Sequence, residues 1–403
     1  MAFLEALCYA FFMTAFFNLS VSRRLSSAFF ILSLFFAMIF FISCSPDDET
    51  EVEQEQRFEK VIVVFHMPDA LGDNSYTDIL TYGIHKAAYE NKLLFYDVNP
   101  SGWDDAKVKI NKVFTSYREL IGAEKNADIP VLFIFTSEGY LDILKDDSVS
   151  KIITGSTESF TYLLFESERL NDTELPYLSS VYMPLYGASY LAGLASKKLL
   201  SSIECPRVVA MLANDFMQPL IDALEGYACG YGATYEKICK YNDTSENNLN
   251  IIKNDSFVVE TISSDADSYG FSSESLTYTI AYDSYFNHFD LYFPVCGGSI
   301  HGLLRYNREA GPNSFYTVGM DSDMSVYSAQ VPFSVVKHVD KAAEKCIRQW
   351  LEEGKIDRYQ RLGLEEGYTE LVISSGYTEL SQIVEDNLSL AIKEENQYYE
   401  SKN

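Results

Sequence analysis

Short apolar runs alternate with stretches of helical spacing through most of the chain. Continuous apolar runs are typical of strands buried on both faces of a parallel sheet, and the stretches between them predict covering helices. The predicted strands are 61–65, 131–135, 207–212, 257–262, 291–295, 315–320 and 333–337, and the predicted helices are 76–91, 190–200 and 219–229. The pattern therefore predicts the α/β class, with parallel sheets.

The first part of the chain has the layout of a secretory signal. Arg23 and Arg24 precede an apolar run over 28–42, which ends at Ser43-Cys44. A basic region, an apolar core of about fifteen residues and a small residue before the cut are the parts of a signal peptide. The run is shorter than the roughly 20 residues of a spanning helix. Residues 1–43 are predicted to be a signal peptide, and an uncleaved anchor helix is the alternative.

The segment that follows, 44–57, is acidic and contains no aromatic residue. Such a segment cannot bury enough apolar surface to offset the entropy lost on ordering, so it is predicted to be a flexible tether. About 345 residues remain from Phe58 onward, which is more than one hydrophobic core usually organises. Two lobes are therefore predicted.

Charge and cysteine content exclude several function classes. The net charge is −27, from 31 basic and 58 acidic residues, which argues against a nucleic-acid partner because phosphate binding depends on Lys and Arg. The cysteines show neither a C-x-x-C pair nor a His at ligand spacing, so neither a metal nor another cofactor is predicted. Free buried thiols are expected, and a Cys229–Cys239 disulfide is the alternative.

In parallel α/β sheets, ligands bind outside the carboxyl ends of the strands. The loop after the first strand holds Asp73, Ser75 and Tyr76. Either polar residue can cap the next helix, and the tyrosine ring can face an aromatic ligand or belong to the core. The loop after 291–295 contains Gly297-Gly298, which lets a ligand approach backbone N–H groups or makes an ordinary turn.

Two further strand ends carry charge. Asp321 and Asp323 follow one strand, and two carboxylates there can accept hydrogen bonds from a vicinal diol such as that of ribose. Helix capping and cation binding are the alternatives. Lys337 ends the last predicted strand. We predict that it pairs with Asp321 and donates to a sugar hydroxyl, the alternative being a surface lysine.

The sequence resembles the basic membrane protein family of lipoproteins, which includes purine nucleoside receptors of ABC transporters. Five segments, in the family's order, carry the resemblance: Asp73-Asn-Ser75-Tyr76, Gly187-Ala-Ser-Tyr190-Leu-Ala-Gly193, Asp290 to Ser299, Val318 to Asp323 with Ser334 to Asp340, and Arg361-Leu-Gly-Leu-Glu-Glu-Gly367. The chain departs from the family at Thr77, where Asn is common, and at Gly187, where Glu is usual. The family's Gly-Ser-Phe-x-Asp element is not evident in 263–269.

The resemblance implies a type I periplasmic-binding-protein fold, in which two Rossmann-like lobes are joined by a three-stranded hinge. The expected first lobe is 58–182 with 322–352, and the expected second lobe is 183–321 with 353–380. Residues 381–403 are expected to form a charged tail that packs on the surface or frays.

The resemblance also implies a nucleoside held between aromatic rings. Carried over to this chain, Tyr76 stacks on the base, Asp321 and Lys337 bind the ribose, and Gly298 offers its backbone. Asp73 and Ser75 belong to the same site, and Asp142 is the candidate carboxylate that reads the base. Tyr269 or Phe271 is the candidate second ring, and Cys44 is the candidate lipid-bearing residue.

The predicted function is an exported, non-catalytic lipoprotein, anchored to the membrane through Cys44, that delivers a small solute to an ABC permease. A purine nucleoside is the favoured ligand. A lipoprotein that senses or displays the solute without a transporter is one alternative. An exported nucleoside hydrolase is the other, with Asp69, Asp73 and Asp78 as an imagined calcium cluster.

Overall fold

The computed structural model describes residues 59–120, 128–154, 159–168, 175–233, 238–240, 257–263, 269–282 and 289–402. The predicted signal peptide, Cys44 and the acidic tether lie outside these residues. Within the described ranges, the helices are too short or too polar to cross a membrane.

The elements alternate between strand and helix along most of the chain. The strands are β1 (Val61–Phe65), β2 (Leu94–Val98), β3 (Val131–Phe135), β4 (Phe160–Phe165), β5 (Leu178–Tyr182), β6 (Val208–Leu212), β7 (Ile238–Lys240), β8 (Phe257–Thr261), β9 (Leu291–Val295), β10 (Tyr316–Thr317), β11 (Gly319–Asp321), β12 (Phe333–Lys337), β13 (Tyr359–Arg361) and β14 (Thr369–Ile373). The helices are α1 (Tyr76–Glu90), α2 (Trp103–Leu120), α3 (Tyr140–Lys145), α4 (Asp147–Thr154), α5 (Tyr186–Leu199), α6 (Gln218–Tyr231), α7 (Glu274–Tyr282), α8 (Ile300–Ala310), α9 (Val339–Glu353) and α10 (Ser381–Lys402).

The first sheet has the strand order β13-β5-β4-β3-β1-β2, with all strands parallel. Every residue of β1 and β3 is buried, as expected for inner strands of a covered parallel sheet. Helices α1 and α9 pack on one face, and α2 and α3 pack on the other. This sheet and its helices form the first lobe.

The second sheet has the order β10-β9-β6-β8-β7 and is also parallel. Helices α5 and α6 cover one face of this sheet, and α7 and α8 cover the other. A third sheet, β11-β12-β14, lies where the chain passes between the two larger sheets, with β14 antiparallel to β12. The α/β prediction with parallel sheets is confirmed.

Two features differ from the sequence-based expectation. The single strand predicted over 315–320 is two strands, because Val318 separates β10 of the second sheet from β11 of the third. Strand β13, within a segment expected in the second lobe, instead pairs with β5 and covers what would be an open sheet edge. The tail over 381–403 has helical spacing in the sequence and forms the long helix α10, which packs against α5, as in the packing alternative. Cys229 is an exposed free thiol, so the alternative disulfide is absent.

Candidate ligand-binding site

A cavity lies between the lobes at the carboxyl ends of the strands of both sheets. Its lining encloses about 630 Å³ free of protein atoms, including the open mouth. The first lobe contributes the residues after β1, β3 and β4, and the second contributes those after β9 and at the start of α6. The lining residues include Met67, Asp73, Tyr76, Thr77, Ser137, Glu166, Met217, Pro219, Phe271, Cys296, Gly297, Asp321 and Lys337.

Asp73 caps the first helix and also faces the cavity. Its Oδ1 accepts hydrogen bonds from the backbone N–H of Ser75 at 2.9 Å and of Asp78 at 3.2 Å, and its Oδ2 accepts from that of Thr77 at 3.1 Å. Burial raises the pKa of the Asp73 carboxyl to about 6, although these N–H groups stabilise its charged form. Asp73 therefore caps the helix and lines the cavity at the same time.

Ser75 joins α1 to the third sheet. Its hydroxyl donates to Asp321 Oδ2 at 2.6 Å, and both side chains are buried. Asp321 ends β11 with a φ of 67°, a left-handed conformation that is uncommon outside glycine. Burial raises the pKa of its carboxyl, and the nearby Lys337 ammonium and the Ser75 hydroxyl act in the opposite direction.

Lys337 pairs with Glu166 and not with Asp321, so the predicted ion pair was wrong in its partner. Lys337 Nζ lies 2.9 Å from Glu166 Oε2, and the two side chains are only 4% and 8% exposed. The reason is positional: Glu166 directly follows β4 with a φ of 62°, which turns its carboxylate towards the end of β12. Its other oxygen, Oε1, is buried without a hydrogen-bond partner among the described residues.

The Tyr76 ring is fixed in the cavity wall. Its hydroxyl donates to the Thr136 carbonyl at 3.0 Å, and Lys337 Nζ lies 5.4 Å from the ring centroid. Burial, with the neighbouring Glu166 and Asp321 carboxylates, holds the pKa of this phenol well above its ordinary value. The tyrosine therefore presents a neutral, pre-oriented ring to whatever occupies the cavity.

Of the two candidates for a second ring, Phe271 lines the cavity and Tyr269 is absent from its lining. The Tyr269 ring instead lies 5.0 Å from that of Trp103, the first residue of α2, and 5.5 Å from that of Phe216. Trp103 belongs to the first lobe and Tyr269 to the second, so this aromatic contact bridges the lobes. Sequence reasoning missed Trp103 because it begins a helix and does not end a strand.

Gly298 marks a close approach between the lobes. A Cβ on this residue would lie 3.1 Å from Asp73 Cβ and 3.2 Å from the Asp73 carbonyl oxygen. The neighbouring Gly297 lines the cavity, with a φ of 51°. The glycine pair thus lets the loop after β9 reach the loop after β1.

Asp142 does not belong to the cavity, and the prediction that it reads a base was wrong. It is an exposed residue of α3 and is not among the lining side chains. The preceding Tyr140 is buried and donates to the His66 carbonyl at 2.5 Å, which fixes the face that α3 turns inward. A residue two positions further along a helix does not share that face.

The imagined calcium cluster is also not assembled. The carboxylate oxygens of Asp78 accept hydrogen bonds from the backbone N–H groups of Gly72 and Asn74, and those of Asp73 accept from the backbone of α1. Among the described residues, we find no group of three or more His, Cys, Asp or Glu side chains arranged to hold a metal ion.

The charge of the cavity wall is unbalanced. Asp73, Glu166 and Asp321 face it with Lys337 as the basic partner among the described lining residues. Beside them, burial and the neighbouring Glu166 carboxylate together raise the pKa of Glu138 to about 8. Such a wall offers many hydrogen-bond acceptors and favours a ligand rich in donors.

Comparison with known proteins identifies the C-terminal region. Residues 254–402 match the family described as "ABC transporter substrate-binding protein PnrA-like". The match covers the C-terminal part of the chain, which is similar to this family. The predicted resemblance to the basic membrane protein family is thereby confirmed, and the matched PnrA-like region contains Gly298, Asp321 and Lys337. No curated protein matches the chain significantly.

The fold is shared with solved structures of low sequence identity. A solute-binding protein of an ABC transporter system from Aeropyrum pernix K1 is 16% identical, with a TM-score of 0.59 over 85% of this chain and 92% of that one. A Mycobacterium smegmatis protein in complex with β-D-fucofuranose is 13% identical, with a TM-score of 0.52 over 83% and 98%. A transcriptional activator of the comK gene from Bacillus halodurans is 11% identical, with a TM-score of 0.55 over 82% and 96%. The predicted type I periplasmic-binding-protein fold is confirmed.

Proposed function

We propose that this PnrA-like substrate-binding protein captures a purine nucleoside between its lobes and delivers it to an ABC permease. The observation that carries the proposal is the juxtaposition, in one interlobe cavity, of the Tyr76 ring with the Asp321 carboxylate and the Lys337 ammonium. A flat aromatic face suits a purine, and the charged pair suits the vicinal hydroxyls of a ribose.

Each group has a role in this proposal. The base stacks on Tyr76, with Phe271 on the second lobe as the facing ring. Asp321 accepts a hydrogen bond from one ribose hydroxyl, and Lys337 donates to another. Glu166 Oε1, which has no partner among the described residues, accepts a hydrogen bond from a ligand N–H or O–H group. A buried acceptor without a donor costs about 1–3 kcal/mol, so a ligand that supplies the donor gains affinity.

The proposed mechanism is lobe closure. A ligand that first meets one lobe recruits the other, and the closed form is the one that a permease recognises. In this role the protein carries out no chemistry on its ligand. Incubation with a nucleoside followed by chromatography checks this point, since release of free base would indicate the hydrolase alternative.

The decisive experiment is a thermal-shift panel of nucleosides, free bases, sugars and amino acids, followed by calorimetry of each hit. A ligand at a hundred times its Kd stabilises the folded state by about 2.7 kcal/mol. We expect a shift with inosine, guanosine or adenosine and none with the free bases. A shift with free furanoses alone would replace the nucleoside with a sugar, the ligand class seen in the Mycobacterium smegmatis neighbour.

The proposal includes export and a lipid anchor on Cys44, on the basis of the signal layout over 23–44. The alternative function, a sensing or surface lipoprotein with the same fold, differs only in lacking a transporter. Neighbouring genes for one ATPase and two permeases would favour transport, and a solitary gene would favour sensing.

A further inference from the structure

A second polar cluster lies away from the ligand groups and surrounds Asp222 on α6. This carboxylate is fully buried, and its hydrogen-bond donors come from three elements. The donors are Gln218 Nε2 at 2.6 Å on α6 itself, the Tyr182 hydroxyl at the end of β5, and, on α10, the Tyr398 hydroxyl at 2.8 Å, the Tyr399 hydroxyl at 2.6 Å and Lys402 Nζ at 2.7 Å.

The cluster joins the two lobes. Tyr182 is the last residue of β5 in the first sheet, whereas α6 follows β6 of the second sheet. Asp222 lies one turn beyond Pro219, which lines the ligand cavity. The Tyr399 hydroxyl lies 3.4 Å from that of Tyr182, so the end of α10 fills the seam between the lobes.

Other residues of the same helical turns hold α10 in place. Glu395 is buried, and it accepts hydrogen bonds from the backbone N–H of Gly187 at 2.8 Å and of Leu364 at 3.1 Å. A Cβ on Gly187 would lie 2.9 Å from Glu395 Oε2, so a larger residue there would displace this carboxylate. On the other side, Arg361 of β13 in the first sheet donates to Asn396 Oδ1 at 2.6 Å.

We propose that residues 395–402 form an interlobe latch that favours the closed arrangement of the lobes. Opening the cleft would carry Asp222 and Tyr182 apart and would leave α10 attached to only one of them. A buried carboxylate that loses its donors is strongly destabilised, so the closed arrangement gains stability from the latch. This inference depends on the two-lobed fold and not on which ligand binds.

The test measures the distance between the lobes in the full chain without ligand. One spin label is attached to the native Cys205 in the second lobe, and the other to a Tyr89→Cys substitution in the first lobe. Double electron–electron resonance then measures the distance between the two labels. Both positions are exposed. Cys8, Cys44, Cys229 and Cys239 are replaced by serine, and the buried Cys296 and Cys346 are kept.

Tyr399→Phe and Tyr182→Phe each remove one hydroxyl from Asp222 and keep the ring. We expect both to shift the distance distribution towards longer values. The matched control is Gln382→Ala, which removes an exposed hydrogen bond to Asp386 on the same helix, and it should leave the distribution unchanged.

Circular dichroism establishes that each variant is folded. If a tyrosine variant does not fold, Lys402→Gln decides the question, because this side chain is 30% exposed and contacts the same carboxylate. If the folded variants give the same distance distribution as the unaltered protein, the proposal is overturned. Because no ligand is present, failure here leaves the nucleoside proposal untouched.

Discussion

Ser75 and Asp321, 246 positions apart in the chain, share a buried hydrogen bond of 2.6 Å that ties the start of α1 to the end of β11. The serine therefore orients the carboxylate that the proposed function assigns to ribose. In the proposed function, the other carboxylate oxygen, Oδ1, accepts the hydrogen bond of the ligand hydroxyl.

Replacing Ser75 with Ala should weaken the folded state and ligand binding together. Loss of a donor to a buried carboxylate costs about 1.5–3 kcal/mol, which urea unfolding measures directly. The control is Ser101→Ala, which removes an exposed serine's bond to Asp105. Equal effects of the two substitutions would contradict a special role for Ser75.

Lys337→Met should lower the free energy of unfolding by about 3–5 kcal/mol, because Glu166 is left buried without its cation. Adding Glu166→Gln to this variant should restore part of the loss but none of the ligand affinity. Lys86→Met, which breaks a more exposed pair with Glu344, should cost far less, because solvent screens an exposed ion pair. If the double variant is no more stable than Lys337→Met alone, the loss of stability does not come from leaving the Glu166 carboxylate buried without its cation.

Stability should fall as pH rises from about 4.5 to about 7. Burial raises the pKa of Glu395 to about 7, so in this window the folded protein holds a proton that the unfolded chain releases. The stabilisation is present below the unfolded pKa and is lost as the pH passes through the folded one, about 3 kcal/mol in all. Burial raises the pKa of Asp73 to about 6, which adds a decrease of the same sign.

Glu395→Gln should flatten this pH dependence, measured by urea unfolding at several pH values. The matched control is Glu385→Gln at an exposed position of the same helix, and it should keep the slope of the unaltered protein. A slope that survives Glu395→Gln would show that other groups are responsible.

Trp103 should report the state of the cleft through its fluorescence. The chain has two tryptophans, and Trp350 is buried in the first lobe, so Trp350→Phe leaves Trp103 as the emitter. Because its ring touches Tyr269 across the lobes, opening the cleft should shift its emission to longer wavelength. Titration with a ligand found in the panel should reverse the shift, whereas Trp103→Phe should abolish the signal.

Cys44→Ala should prevent lipid attachment, because acylation requires the thiol. Labelled palmitate should be incorporated into the unaltered chain and not into this variant. The control is Cys8→Ala in the predicted leader, which should retain the label. Continued labelling of Cys44→Ala would refute the predicted lipid site.

The fold was predictable from the sequence where a buried strand is one unbroken apolar run. The runs 61–65, 131–135 and 291–295 were predicted with their observed bounds because their patterns are continuous and apolar. Strand β13 was not predictable in this way. It is three residues long, and its pairing with β5 depends on contacts far away in the chain.

The candidate site was predictable where a polar residue follows a recognised strand, as with Asp321 and Lys337. Glu166 was missed because β4 had not been recognised, although Phe160–Phe165 followed by a carboxylate is the same signal. The latch was beyond sequence reasoning, since Asp222 and Tyr399 are 177 positions apart and neither belongs to a local motif.

The placement of the third sheet has a kinetic consequence. Asp321 and Lys337 end strands β11 and β12, which belong to the sheet where the chain crosses between the lobes. Because β11 and β12 are neighbouring strands of one sheet, Asp321 and Lys337 keep their spacing when the lobes separate in the proposed opening. Association of the ligand would then depend on the hinge, which the third sheet forms. Its dissociation would depend on the aromatic rings of the two lobes, which separate when the cleft opens. Substitutions in the hinge should therefore act mainly on association, and those at Phe271 mainly on dissociation.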